Sequence, residues 1–220
     1  MSRPRPTSPR GNSAFPEGLR HVDPARSAAL AALRAGLRQT PGICVLTGGQ
    51  TGADTIAAVA ALRAGLPVHL LFPSGFRQED GPITAERRHE LHGAVFHELA
   101  TAGFRERTWA CVGLADAVVL VDPAGGDGCR ETVVAARELG RPLLAMSEAR
   151  GWGGGSAAVG RRPAPADDPA TWLDRTGARV LMVAGCRGSL LAAAGCRELA
   201  ADQIAEVVCV ARQRHDRLTA

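Results

Sequence analysis

The sequence predicts an α/β protein, a single domain built on an open, mostly parallel sheet flanked by helices. Three observations predict it. Five short runs, ICVLT (43–47), VHLLF (68–72), AVVLV (117–121), LLAMS (143–147) and RVLMV (179–183), are apolar on both faces, as in parallel strands covered by helices on either side. Helical patterns separate these runs. RAGLP and ELGRP then repeat one helix-ending device just before a strand, a Gly followed two residues later by Pro. At 220 residues and 45% apolar, the chain can bury one substantial core.

Taken in order, residues 1–22 read as a disordered arm: MSRPRPTSPRGNSAFPEG has no hydrophobic stretch for a secretory signal, and Pro4, Pro6 and Pro9 forbid the amphipathic helix of a transit peptide. A domain over 23–214 follows. Asp23 as a cap, Pro24 at the first helical position and Pro41-Gly42 as a stop mark its first helix. The first strand ends at Thr47 in a glycine turn that opens an alanine-rich helix. ERRHELHGAVFHELA (86–100) reads as a helix with its histidines in solvent and Leu91, Val95 and Leu99 toward the core. Residues 148–168, EARGWGGGSAAVGRRPAPADD, are too rich in Gly, Pro and Ala for a regular element and read as a mobile inserted loop. The arrangement is Rossmann-like.

Composition excludes several chemistries. All 26 basic residues are arginine. Without lysine, neither a P-loop NTPase nor a Schiff-base enzyme can operate. Arg3, Arg5 and Arg10 supply most of the net charge of +4, so the rest of the chain is near neutral and nucleic acid is not an expected partner. Arg34, Arg38 and Arg63 interrupt the best apolar runs, so no membrane partner is expected either. The 6 cysteines contain no CxxC pair, which predicts a reduced, cytoplasmic chain. Cys44, Cys111, Cys196 and Cys209 read as small hydrophobes within elements. Cys129 and Cys186 fall in loops, where a soft thiolate would suit molybdenum or copper, but an incidental small residue is the commoner case and no metal ligand is assigned.

Two glycine turns carry the chemistry. The first, Thr47-Gly48-Gly49-Gln50-Thr51-Gly52, lies outside the carboxyl end of a strand, where open sheets bind ligands. Its glycines allow close approach, the helix start offers unpaired N–H groups, and Thr47, Gln50 and Thr51 add donors, so a phosphate fits; the alternative is a tight turn holding nothing. A GxGxxG fingerprint is absent, which argues against a dinucleotide. The second turn, DPAGGDGC, places Gly125, Gly126, Asp127, Gly128 and Cys129 at another helix start. If the strand at 117–121 lies beside the first, the two turns flank one crevice and two helix N-termini face one ligand. Arg107 suits a fork on a ligand phosphate. Asp54 reads as a cap or helix-field residue and Asp116 as structural. No Ser-His-Asp pattern is present, and no catalytic residue is assigned.

LTGGQTGADTIA, QEDGPI (78–83), RTWACVGLADAVVLV (107–121), GGDGCRETVVAARELGRP (125–142) and RVLMVAGCRGS (179–189) occur in the order and approximate spacing of the molybdenum carrier proteins, which the chain resembles over about 43–210. That family is a Rossmann-like branch of the SLOG superfamily. The resemblance implies a non-catalytic carrier of the molybdenum cofactor, or of a related phosphorylated pterin or nucleotide, that forms homo-oligomers and supplies molybdoenzymes. Within it, Asp80 would bond the amino-pyrimidine edge of a pterin or a ribose hydroxyl; the other reading is a turn around Gly81-Pro82 with solvated charges. The chain departs from the family at Thr55, Cys111 and Ala115, and the second glycine motif reads Asp127-Gly128-Cys129. The same loop resembles the PGGxGTxxE motif of the Lonely Guy phosphoribohydrolases, which cleave nucleoside monophosphates. Here Ala124, Cys129 and Thr132 replace Pro, Thr and the catalytic Glu, which argues against hydrolysis, although Glu131 stands one residue away.

Overall fold

The computed structural model describes residues 24–100, 103–146 and 168–220, with no side chains described for 24–26. The predicted arm and residues 148–167 of the predicted insertion lie outside these, as does Asp23. Each predicted strand is present: β1 (Cys44–Thr47), β2 (Val68–Phe72), β6 (Ala117–Val121), β7 (Leu143–Met146) and β8 (Val180–Gly185). They form a parallel six-stranded sheet with β5 (Val95–Glu98), in the order β5-β2-β1-β8-β6-β7. β1, β6 and all but the last residue of β8 are buried, because helices cover both faces.

β5 was not expected. The stretch read as one helix is a short helix, α3 (Ala85–Glu90), followed by an edge strand that pairs with β2. Leu91 and Leu99 are buried as predicted, but Val95 is 47% exposed. An edge strand alternates only weakly between faces, so its three apolar positions also match a helical period. A two-residue hairpin, β3 (Arg77–Gln78) and β4 (Gly81–Pro82), projects after β2.

Crossovers running in opposite directions from the middle of the sheet place their helices on opposite faces. α2 (Ala53–Arg63), α6 (Pro169–Thr176), α7 (Gly188–Ala193) and the long α8 (Arg197–Thr219) pack together. α1 (Pro24–Gln39), α4 (Phe104–Leu114) and α5 (Asp127–Glu138) form the other group. Ala53, Ala57, Ala58 and Ala61 are fully buried on α2, and their small size lets that helix lie close to the sheet. α8 runs past the expected boundary at 214: Ile43 donates its N–H to His215 Nδ1 at 3.1 Å, tying the last helix to the first strand.

The last strand in sequence occupies the centre of the sheet. β8 lies between β1 and β6, so the two glycine turns are not direct neighbours, and the loop after β8 stands between them.

Candidate functional site

Beyond β1 the chain turns toward α2, and beyond β6 it turns toward α5 on the other face. This divergence leaves a crevice above the end of β8, the place where open α/β sheets hold ligands. Its cavity measures about 470 Å³. Gln50 and Asp54 line it from the first turn, and Gly126, Asp127, Gly128, Cys129, Glu131 and Thr132 from the start of α5. Gly185 ends β8 and Cys186, Arg187 and Leu190 follow it, Phe104, Arg105, Arg107 and Thr108 come from α4, and Glu79 reaches in from the hairpin.

In the first glycine turn, read from sequence as a phosphate cradle, the protein itself engages several of the donors. Gly49 N–H donates to Thr47 Oγ1 at 3.3 Å, Gln50 N–H to Asp54 Oδ2 at 3.1 Å, and Thr51 N–H to Gln50 Oε1 at 3.0 Å. Ala53 N–H donates to the Cys186 carbonyl at 3.0 Å. The glycines are needed for packing. Gly49 (φ 66°) and Gly52 (φ 80°) are in the left-handed region, and a Cβ at Gly49 would stand 2.5 Å from the Phe72 ring. At Gly52 it would meet the Cys186 carbonyl at 2.5 Å. Gly48 makes room for a guanidinium, since its Cβ would fall 1.1 Å from Arg107 Nη1.

Arg107 is the central cation. Its side chain is 8% exposed, and Nη1 donates to Asp54 Oδ2 at 3.2 Å, while the carboxylate is itself only 6% exposed. Burial raises the Asp54 pKa, and Arg107 and the turn's N–H groups oppose that rise. Arg107 Nε is buried without a partner. The helix start across the cavity is equally unsatisfied: Gly126 caps α5 with no side-chain bond, and the first helical bond accepted there comes from Arg130 N–H.

Each further cation in the cavity has an acidic partner. Arg105 Nε donates to Glu131 Oε1 at 2.8 Å, and Trp109 Nε1 donates to the same oxygen. Burial alone would raise the Glu131 carboxyl, but these donors hold it below the usual carboxylate range. Arg187 lies 3.5 Å from Glu79, which also accepts from Thr51 Oγ1 and from Ser189 N–H and Oγ. Those bonds outweigh burial and keep Glu79 ionised. The cavity is therefore rich in donors and dipoles without being a positive well.

Of the residues singled out by sequence, Gln50, Arg107, Gly126, Asp127, Gly128 and Cys129 line the cavity. Thr47, Gly48, Gly49, Thr51 and Gly52 are not among its lining residues. Gly125 braces the second turn by donating its N–H to Asp122 Oδ1 at 2.9 Å. Asp80 lies outside, in a bidentate pair with Arg87 at 3.0 and 2.7 Å, which is the solvated-turn reading. Sequence reasoning missed Glu79, Arg105 and Arg187. The segment GCRGS repeats the pattern of strand, glycine and helix start found at the other two turns, and that signal could have placed Arg187.

A second cavity, of about 460 Å³, opens at the amino ends of the strands between Arg38, Asp116, Arg141 and Arg179. Asp116 there accepts from Arg38 and from the N–H groups of Arg179 and Val180 at 3.2 and 3.1 Å, the structural role expected of it.

An open parallel sheet with a ligand-sized crevice at its carboxyl edge defines a Rossmann-like domain. Residues 45–208 match the circularly permutated YpsA SLOG family, and the chain belongs to that family. Among solved structures, one from Syntrophus aciditrophicus named "Putative molybdenum carrier protein" aligns with a TM-score of 0.57 over 79% of this chain and 99% of its own, at 23% identity. That likeness shows a shared fold. No curated protein matches the chain. Among the described residues, no helix is long and apolar enough to cross a membrane.

Proposed function

We propose that the chain binds a small phosphorylated ligand in the 470 Å³ crevice and carries it without turnover. The observation behind this reading is the pairing of two unsatisfied donors across one cavity: the buried Arg107 Nε and the uncapped start of α5 at Gly126, Asp127, Gly128 and Cys129. An anion accepting from both satisfies a buried cation edge and a helix dipole together. The anion is placed at this second turn rather than at Thr47–Gly52, where the N–H groups of Gly49, Gln50 and Thr51 already have partners within the chain. Gln50 lines the near wall with its Oε1 already accepting from Thr51 and Glu79 N–H at 3.0 and 2.7 Å, which leaves its Nε2 amino group for the rest of the ligand.

The finer reading is the molybdenum cofactor, a phosphorylated pterin. The cavity volume falls within the roughly 300–1,000 Å³ of small-molecule sites. Phe104, 37% exposed at the cavity wall with the Arg77 guanidinium 5.5 Å over its ring, offers an aromatic contact for a flat ring. Bound there, the cofactor would supply oxygen-transfer chemistry to a recipient enzyme, and this chain's residues hold and shield it. The likeness to a structure named as a molybdenum carrier supports the same direction. In this reading the chain is a cytoplasmic homo-oligomer that delivers cofactor to molybdoenzymes.

One observation favours a second reading, a hydrolase of the Lonely Guy kind. Glu131 does reach the cavity, ionised and beside Arg105, where it could steady positive charge developing on a ribose. Thr132, at the position of the missing carboxylate, instead donates its hydroxyl to the Gly128 carbonyl at 3.0 Å. Native mass spectrometry of protein from a cofactor-producing host tests the first reading, since it gives ligand mass and oligomeric state together. Release of free base from a nucleoside monophosphate would favour the second. A crystal soaked in phosphate with the anion only in the Arg38–Arg179 cavity would overturn the placement.

A further inference from the structure

At the floor of the crevice three buried side chains converge from three separate elements. Asp122 follows β6, Cys129 sits in the first turn of α5, and Cys186 follows β8; they are 6%, 2% and 1% exposed. We propose that Asp122, Cys129 and Cys186 form a binding site for a thiophilic divalent cation of the Zn²⁺ class, with an open coordination position facing the cavity. This inference is independent of which organic ligand the crevice takes.

The spacing carries the proposal. The ligand atoms all lie within 4.8 Å of one another, and Cys129 Sγ and Cys186 Sγ are 3.9 Å apart. Two sulfurs held about 2.3 Å from a tetrahedral ion are roughly 3.8 Å apart, so the thiol pair is already set for one. Cys186 Sγ donates to Asp122 Oδ1 at 2.7 Å. The ion takes the place of that proton, and the sulfur and oxygen separate by roughly 0.8 Å to admit it. Gly125 N–H donates to the same Asp122 Oδ1 at 2.9 Å and fixes the carboxylate's position, as an outer partner does for a ligating group.

The charge balance fits as well. Binding releases two thiol protons, leaving two thiolates and a carboxylate around a doubly positive ion, with one net negative charge. That charge sits at the start of α5, where the helix field favours it. Two sulfurs select a borderline-soft ion over Mg²⁺ or Ca²⁺. Because Cys129 and Cys186 also line the cavity, the fourth position opens toward it, as in three-ligand zinc sites.

Full-length protein, reduced and stripped with a chelator, should take up one Co²⁺ per chain with a thiolate-to-cobalt charge-transfer band, and Zn²⁺ should displace it. Cys129→Ser/Cys186→Ser should abolish the band, and Asp122→Asn should weaken binding at least about tenfold. If the double variant does not fold, zinc X-ray absorption on the wild-type protein serves instead, with two sulfur neighbours at about 2.3 Å expected. A band that persists in the folded double variant, no sulfur neighbours or four, or a Cys129–Cys186 disulfide in the protein as purified would each overturn the site.

Discussion

Replacing Arg107 by Met tests whether the crevice is built on a buried charge pair. The substitution keeps a long side chain over Gly48 but leaves Asp54, 6% exposed, facing it without its cation. Breaking such a pair from one side costs about 3–5 kcal/mol. Asp54 can escape by taking a proton, at a cost of about 1.36 kcal/mol for each pH unit above its unfolded pKa of about 3.9. That route costs about 5 kcal/mol at pH 7.5 and about 1.5 kcal/mol at pH 5. The retained N–H bond from Gln50 lowers the loss further, so we expect about 3–4 kcal/mol at pH 7.5 and less than about 2 kcal/mol at pH 5. The sign is set by the acid. A carboxyl whose folded pKa is raised binds its proton more tightly in the native state, so the variant's deficit grows as pH rises above about 4. Asp54→Asn/Arg107→Met removes the orphaned charge and should return to within about 1.5 kcal/mol of wild type. Urea midpoints at the two pH values, with m unchanged, measure all of this. A loss below about 1 kcal/mol at pH 7.5, or one that does not change by pH 5, would refute the argument. The folded double variant then isolates function, because it should no longer hold a phosphate.

Gly128→Val should leave the unfolding midpoint within about 1 kcal/mol of wild type while blocking ligand binding, because a Cβ there meets nothing within 4 Å and projects at the cavity wall; unchanged affinity for phosphate by calorimetry removes the turn from the site. Gly49→Asp, by contrast, should cost several kcal/mol of stability by itself, from its positive φ and the Phe72 ring at 2.5 Å, which thermal melts would show. Since each arginine in the cavity has an acidic partner, affinity for a phosphorylated ligand should fall less than about threefold between low and physiological salt, and a steep salt slope by titration would contradict dipole-based recognition. His69 and His97 stack with Nδ1 and Nε2 3.0 Å apart, and burial, then the His97 charge, lowers the His69 pKa to about 4. Their contribution is full above about pH 6.5 and is lost as pH falls toward 4. After allowance for partial exposure it is worth about 1–2 kcal/mol, so His69→Gln should show a correspondingly flatter loss of urea midpoint over that range.

The sheet was legible because buried parallel strands are uniformly apolar, a signal that survives without any tertiary information; LLAMS and RVLMV needed only a shift of a residue or two at their ends. β5 was not, since Val95 and His97 lie on a half-exposed edge strand where alternation is weak. The glycine turns stand at the strand-to-helix junctions where the sequence places them, but what their glycines accommodate was not legible. Gly48, Gly49 and Gly52 announce close approach without saying of what, and the approaching groups are Arg107, Phe72 and the chain after Cys186, all distant in sequence. Asp54 read as a cap, and it does accept from Gln50 N–H; that it also faces Arg107 across the sheet is a fact of topology.

The position of β8 explains both the internal bonding of the first turn and the composition of the site. Had β6 paired with β1, the two glycine turns would have shared one anion, as their sequences suggest. With β8 between them, the first turn instead donates to the loop after β8, through Ala53 N–H to the Cys186 carbonyl, and receives Gly188 N–H on Thr51 Oγ1 at 3.1 Å. Its dipoles are spent on holding the last strand in place. The second turn has no such debt, because α5 starts free of a cap beside the same loop. The crevice is thus asymmetric: one wall carries the Asp54–Arg107 pair with its unpartnered Arg107 Nε, while the other carries the uncapped start of α5 and the Cys129 thiol. In the reading proposed above, a ligand meets that asymmetry with its anion on the α5 side and its neutral edge toward Gln50.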